Sequence, residues 1–316
     1  MSPQVLLRFF CSLTLCCLCA ALLACRANDE PVPTGSLVPP IAAPAAKPEP
    51  VASTARPVLN TQKWMIDGVE REAIVAMPNA SLVAPTGSPI LFVFHGRGGA
   101  ARQVRRSYDI ESLWPEAIVV YPQGLKTPGR IMDLEGKKTG WQAYADVVDN
   151  RDLRFFDAML ASMLTDAQGD ANRVYSTGHS NGGGFTYLLW SQRHDVLAAV
   201  APSAAAANAQ TLTKPLPAMH VGGRNDSVVK FALQEATMKD VRERNRCADE
   251  GTSVGAHGTL YASSVNAPVL VWITDGTHAF DKSCVKPMVD FFNAHSRPVP
   301  TPAPTPAPTP ALPTLR

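Results

Sequence analysis

The chain has 316 residues, 46% hydrophobic and 18% charged, enough to bury the core of one large domain or two small ones. A net charge of +2 and the lack of a basic stripe interleaved with aromatics argue against nucleic acid as a partner. Seven cysteines are present, but no pair has zinc-site spacing with histidines nearby, which argues against a metal centre.

Residues 1–25 open with one basic residue, Arg8, followed by an apolar run from Phe9 to Ala24. That run is short for a spanning helix and fits the core of a signal peptide. It ends Leu22-Leu23-Ala24-Cys25, which resembles a bacterial lipobox and would make Cys25 the lipidated first residue of an exported lipoprotein. Leu23 is a less usual choice there, so plain secretion stays open. Membrane contact is then expected only through that anchor. Residues 26–57 are rich in Pro, Ala, Thr and Ser and read as an unstructured tether; 297–316 repeat Thr-Pro-Ala-Pro and read the same way. The folded part is expected over 58–296. In an exported domain the two late cysteines suggest a Cys247–Cys284 disulfide, with two separate buried thiols as the other reading.

Within 58–296, strands are predicted over 72–77, 89–94 and 117–121, and helical spacing of Leu153, Phe156, Met159, Leu160 and Met163 predicts a helix over 152–164. A further strand, a tight turn and a helix follow around Arg173-Val174-Tyr175-Ser176-Thr177-Gly178-His179-Ser180-Asn181-Gly182-Gly183-Gly184. Strands over 197–201, 218–221 and 269–273 and helices over 228–244 and 287–294 complete the count. Strands separated by helices predict an α/β fold, a mainly parallel sheet with helices on both faces and its site at the carboxyl ends of the strands.

The turn Gly178-His179-Ser180-Asn181-Gly182 matches G-x-S-x-G, the nucleophile elbow of α/β-hydrolases. Its glycines let strand and helix meet at a strained Ser180, and the helix that follows points its positive end at the site. A serine hydroxyl needs a base, and the base needs an orienting carboxylate. In the order Ser, acid, His, the best base is His278, on a loop directly after the strand at 269–273. His194 and His295 lie near helix ends, His220 inside a strand, and His257 in a Gly-rich loop. The best acid is Asp226, after a strand and the turn Gly222-Gly223-Arg224-Asn225; Asp240, Asp249, Asp275 and Asp281 are its rivals. Oxyanion donors are expected from the amide of Asn181 and from the loop His95-Gly96-Arg97-Gly98-Gly99, Arg97 first and Gly98 as the alternative. His95 reads as a structural hydrogen-bonder.

These pieces, with Tyr121-Pro122-Gln123-Gly124, Gly140-Trp141, Ala199-Val200-Ala201-Pro202, Gly223 through Val229 and Gly276-Thr277-His278, resemble the secreted polyhydroxybutyrate depolymerase and feruloyl/acetylxylan esterase group of α/β-hydrolases. The resemblance runs over about 90–280. It implies one catalytic domain, a Ser180–His278–Asp226 triad, an ester substrate and no cofactor. It also suggests Trp141 at the substrate cleft, against the alternative of a core tryptophan. Two departures stand out: His179, where the group often has Leu or Cys, read as a neighbour that does not touch the triad; and Ala279-Phe280, where many members have Trp-Pro, which changes the cleft wall. A peptidase-type hydrolase and a surface-attached binding lipoprotein on the same scaffold are the rival functions; the second would typically have lost part of the triad.

Overall fold

The computed structural model describes residues 57–129, 132–207 and 211–298; segment 1–25 with Cys25, residues 26–56 and residues 299–316 lie outside the described residues. The strands are β1 (Val58–Ile66), β2 (Val69–Met77), β3 (Ser88–Phe94), β4 (Ile118–Pro122), β5 (Leu125–Lys126), β6 (Thr139–Gly140), β7 (Gly169–His179), β8 (Ala199–Ser203), β9 (Ala218–Gly223), β10 (Thr252–Val254), β11 (Gly258–Tyr261) and β12 (Val269–Thr274). The helices are α1 (Ala101–Tyr108), α2 (Ile110–Leu113), α3 (Arg151–Thr165), α4 (Asn181–Arg193), α5 (Phe231–Arg244) and α6 (Val285–Asn293).

Ten strands form one sheet in the order β1-β2-β4-β3-β7-β8-β9-β12-β11-β10, and β5 and β6 pair separately. The six from β4 to β12 run parallel, flanked by antiparallel β1-β2 on one side and β11-β10 on the other. The central strands are continuous apolar runs because both faces are covered; all seven residues of β3 are buried. Alternation along β3 sends Ile90, Phe92 and Phe94 into a core beneath α3 and α4, and Leu91 and Val93 into a second core beneath α1 and α6. No helix among the described residues is long and apolar enough to cross a membrane.

The two cores correct the expected disulfide. Cys284 is buried among the α1–α6 side and Cys247 packs against the α3–α4 side, so the sheet separates them, and both are free thiols.

The helix expected from 228 begins at Phe231. The amides of Val228 and Val229 are drawn instead to the carboxylate of Asp226, which keeps that stretch a turn.

Candidate active site

The site lies where β3, β7, β9 and β12 end. Ser180 caps α4 at φ 57°, ψ −116°, a conformation L-residues rarely adopt. Its surroundings hold it there: the Ser180 amide donates to Ser203 O at 2.8 Å, and a Cβ on Gly182 would sit 2.2 Å from Phe94 O. The glycine is therefore a packing requirement of the elbow.

Three expected side chains come together on this frame. Ser180 Oγ lies 2.8 Å from His278 Nε2, and His278 Nδ1 lies 2.8 Å from Asp226 Oδ2. The Asp226 side chain is fully buried. Its other oxygen, Oδ1, accepts the amides of Val228 and Val229, each at 2.9 Å, so two backbone dipoles share its charge. The acid loop is stitched to the histidine loop: the Arg224 amide donates to Thr274 O at 2.9 Å and the Asn225 amide to Gly276 O at 3.0 Å. The rival acids stand apart. Asp275 is 88% exposed on its side chain and faces Arg224, and Asp281 accepts the amide of Ser283.

Two elements beside Ser180 hold the expected oxyanion donors. Asn181 is the first residue of α4, whose first-turn donors the helix cannot use itself. In the β3 loop the amide of Gly98 is committed to Thr139 O at 2.7 Å, which favours Arg97 over Gly98 as the donor of that pair. The Arg97 guanidinium turns away from the site, to Thr127 O, Pro128 O and Asp133.

His95 fixes this loop from below. The amide of Gly124 donates to His95 Nε2 at 2.9 Å, so the proton sits on Nδ1, which donates to Gly96 O at 2.8 Å. Burial lowers its pKa, favouring this neutral form.

Trp141 is corrected by its burial: it is fully inaccessible, stacked on Phe185 and edge-on to Phe94. Its indole N–H donates to His95 O at 2.9 Å, and its backbone makes a two-way clasp with the Asn181 side chain, at 2.7 and 3.0 Å. It supports the β3 loop and the elbow from the core and, fully buried, lines no cleft. A Cβ on Gly140 would lie 2.6 Å from Asn181 Oδ1, which explains the Gly140-Trp141 pair.

His179 also differs from expectation. Its Nε2 lies 2.8 Å from the carbonyl oxygen of His278 and its Nδ1 3.2 Å from Ser203 Oγ, so it contacts the triad's backbone. Burial, and next the neighbouring His278, lower its pKa to about 4. A neutral ring with its proton on Nε2 satisfies both partners. Nothing local to His179 signals a carbonyl 99 residues away.

Two hollows meet at Ser180. The larger, about 590 Å³, is bounded by Arg97, Tyr108, His179, His278 and Phe280. Phe280 stacks on Tyr108 with centroids 4.0 Å apart, so the Ala279-Phe280 departure does form the wall. The smaller, about 160 Å³, is bounded by Asn181, Gly184, Ala205, Val229 and Leu233, and is largely apolar. Among the described residues no group of three or more His, Cys, Asp or Glu could hold a metal ion.

The fold is that of the α/β-hydrolases: an acetyl xylan esterase from Aspergillus awamori superposes with a TM-score of 0.56 over 74% of this chain and 99% of that one, at 12% identity. In sequence the chain is similar to acetylxylan and feruloyl esterases. A bifunctional acetylxylan esterase/xylanase of Neocallimastix patriciarum is 29% identical over 187 residues, 58% of this chain and 25% of that protein. Feruloyl esterase B of Piromyces equi is 26% identical over 170 residues, 51% of this chain and 30% of that protein. The matched region is thus a quarter to a third of these relatives. No family model matches the chain.

Proposed function

We propose that this protein is an exported serine esterase that cleaves carboxylic esters through a Ser180–His278–Asp226 triad, with the amides of Asn181 and Arg97 as oxyanion donors. The observation that carries the reading is the unbroken pair of 2.8 Å contacts from Ser180 to His278 to Asp226 at the mouth of a cavity. In this reading His278 takes the Ser180 proton as Oγ attacks the ester carbonyl, and Asp226 holds the imidazole with its proton on Nδ1. The oxyanion collapses to an acyl-enzyme as His278 protonates the leaving alcohol. Water, activated by the same histidine, then releases the acid. Export rests on the signal-like segment 1–25, with Cys25 as the lipid anchor.

The leaving oxygen must lie within reach of His278 Nε2, and only the larger hollow is bounded by that residue. The alcohol therefore occupies the larger hollow and the acyl group the smaller apolar one, which favours short acyl chains on bulky alcohols. The kinship with an acetylxylan esterase agrees with such substrates, whereas a feruloyl ester would put its bulky aromatic part on the acyl side.

A series of p-nitrophenyl acetate, butyrate and octanoate, beside methyl ferulate and a soluble hydroxybutyrate oligomer, tests this. The acetate should exceed the octanoate in kcat/KM by about tenfold or more, as expected when several methylenes find no pocket. Silence of the folded protein on all five would overturn the esterase reading. Equal rates across the series would overturn the pocket assignment alone.

A further inference from the structure

The hydrogen-bond chain does not stop at Asp226. Gln234, in the first turn of α5, is fully buried, and its Nε2 lies 2.9 Å from Asp226 Oδ2 and 2.7 Å from Val229 O. Both partners only accept, so the amide nitrogen must face them and the amide oxygen must face away. That oxygen lies 3.3 Å from His220 Nε2, which must therefore carry the proton. His220 Nδ1 is then left as an acceptor, and the Tyr187 hydroxyl, 2.7 Å away, donates to it. Every donor in this buried line points toward Asp226.

Its titratable members keep those roles. Burial lowers the pKa of His220 to about 4 and raises that of Tyr187 far above the ordinary phenol range, so the ring stays neutral and the hydroxyl stays protonated. His220 lies on β9 and Tyr187 on α4, the strand that leads to the acid and the helix that follows the nucleophile.

We propose that Gln234 is a positioning residue for Asp226, and that Tyr187 and His220 select which face of its amide the carboxylate meets. This rests on the esterase reading above. A flipped Gln234 would set its oxygen against the Asp226 carboxylate, remove one of the donors to Oδ2 and repel the carboxylate from its alignment with His278. Tyr187 and His220 oppose the flip because it would require His220 to move its proton from Nε2 to Nδ1 and the Tyr187 hydroxyl to turn from donor to acceptor. No proton travels along the line; it acts by orientation alone.

The test uses Gln234→Met, Tyr187→Phe and the double variant, with kcat, KM and melting temperature on an active p-nitrophenyl ester, and with the downfield imidazole Nδ1–H resonance of His278. Gln234→Met should lower kcat by about 10- to 100-fold with KM held within about twofold, the pattern of lost transition-state alignment. Tyr187→Phe should lower kcat by about three- to tenfold, and the double variant should be no slower than Gln234→Met, because Tyr187 acts through Gln234. The His278 resonance should shift or broaden in both single variants. A lowered melting temperature with unchanged kcat and unchanged resonance, or effects that simply multiply in the double variant, would overturn the proposal. Should Gln234→Met fail to fold, Tyr187→Phe decides in the same way, since it removes one oxygen and little volume. A parent protein with no turnover would overturn the esterase reading, and the resonance would still report whether Gln234 holds Asp226.

Discussion

Replacing Ser180 with alanine should lower kcat/KM for p-nitrophenyl acetate by about 10⁴-fold or more while the protein stays folded. The size follows from what is removed in the proposed mechanism, the atom that would form the acyl-enzyme. The neighbouring alternatives are spoken for. His95 is held between Gly124 and Gly96, and the Ser203 hydroxyl is buried against His179. Folding should be spared because, among the described residues, Ser180 Oγ hydrogen-bonds only to His278, whose ring is partly exposed at the cavity and can turn to water. A melting temperature within about 2 °C of the parent, the range expected for a change of a few tenths of a kcal/mol, checks that half of the expectation. Retained hydrolysis would remove Ser180 from the mechanism.

Asp226→Asn should cost nearly as much in kcat, and the local hydrogen bonds dictate why. Asp226 Oδ1 accepts two backbone amides, so an asparagine must put its oxygen there and its nitrogen at the Oδ2 position. That nitrogen would face His278 Nδ1 as a donor and force the imidazole proton onto Nε2. The ring could then no longer accept the proton of Ser180. It would also meet the Gln234 amide donor head-on. A loss of about 10⁴-fold in kcat with little change in KM is expected, the size seen when a triad histidine is held in the wrong tautomer. A loss of less than tenfold would mean that Asp226 does not orient the base.

The parts of the site that could be read from the sequence are those tied to strand ends. The elbow announces itself because Gly178, Ser180 and Gly182 are needed within five residues to turn a strand into a helix without collision. His278 and Asp226 follow strands of strongly β-branched or apolar character, and the parallel sheet aligns those ends on one side of the molecule. The helix α1 escaped because it is only eight residues long, Ala-Arg-Gln-Val-Arg-Arg-Ser-Tyr, and its helically spaced Ala101, Val104 and Tyr108 are outnumbered by polar and charged neighbours. The outer strands β10 and β11 escaped because, short, Gly/Ser/Thr-containing and partly exposed, they gain their form from pairing with each other and, through β11, with β12.

The misreadings share a cause. Cys247 and Cys284 looked like partners because spacing along the chain says nothing about which face of a sheet a residue meets. Trp141 looked exposed because a polar run precedes it, whereas the Asn181 clasp and the Phe94–Phe185 slot pull it inward. His179 and Gln234 contact groups 99 and 8 residues away through backbone carbonyls and carboxylates that only the folded chain brings into range. Local pattern thus gives the frame of such a site, while the hydrogen bonds that aim its side chains come from tertiary packing.

The most direct measurement is covalent. Treatment with a fluorophosphonate, followed by proteolysis and mass spectrometry, should give one phosphonyl adduct, on the Ser180 side chain, at the same rate at which esterase activity disappears. An adduct on any other residue, or full activity in a protein that takes up no label, would contradict Ser180 as the nucleophile.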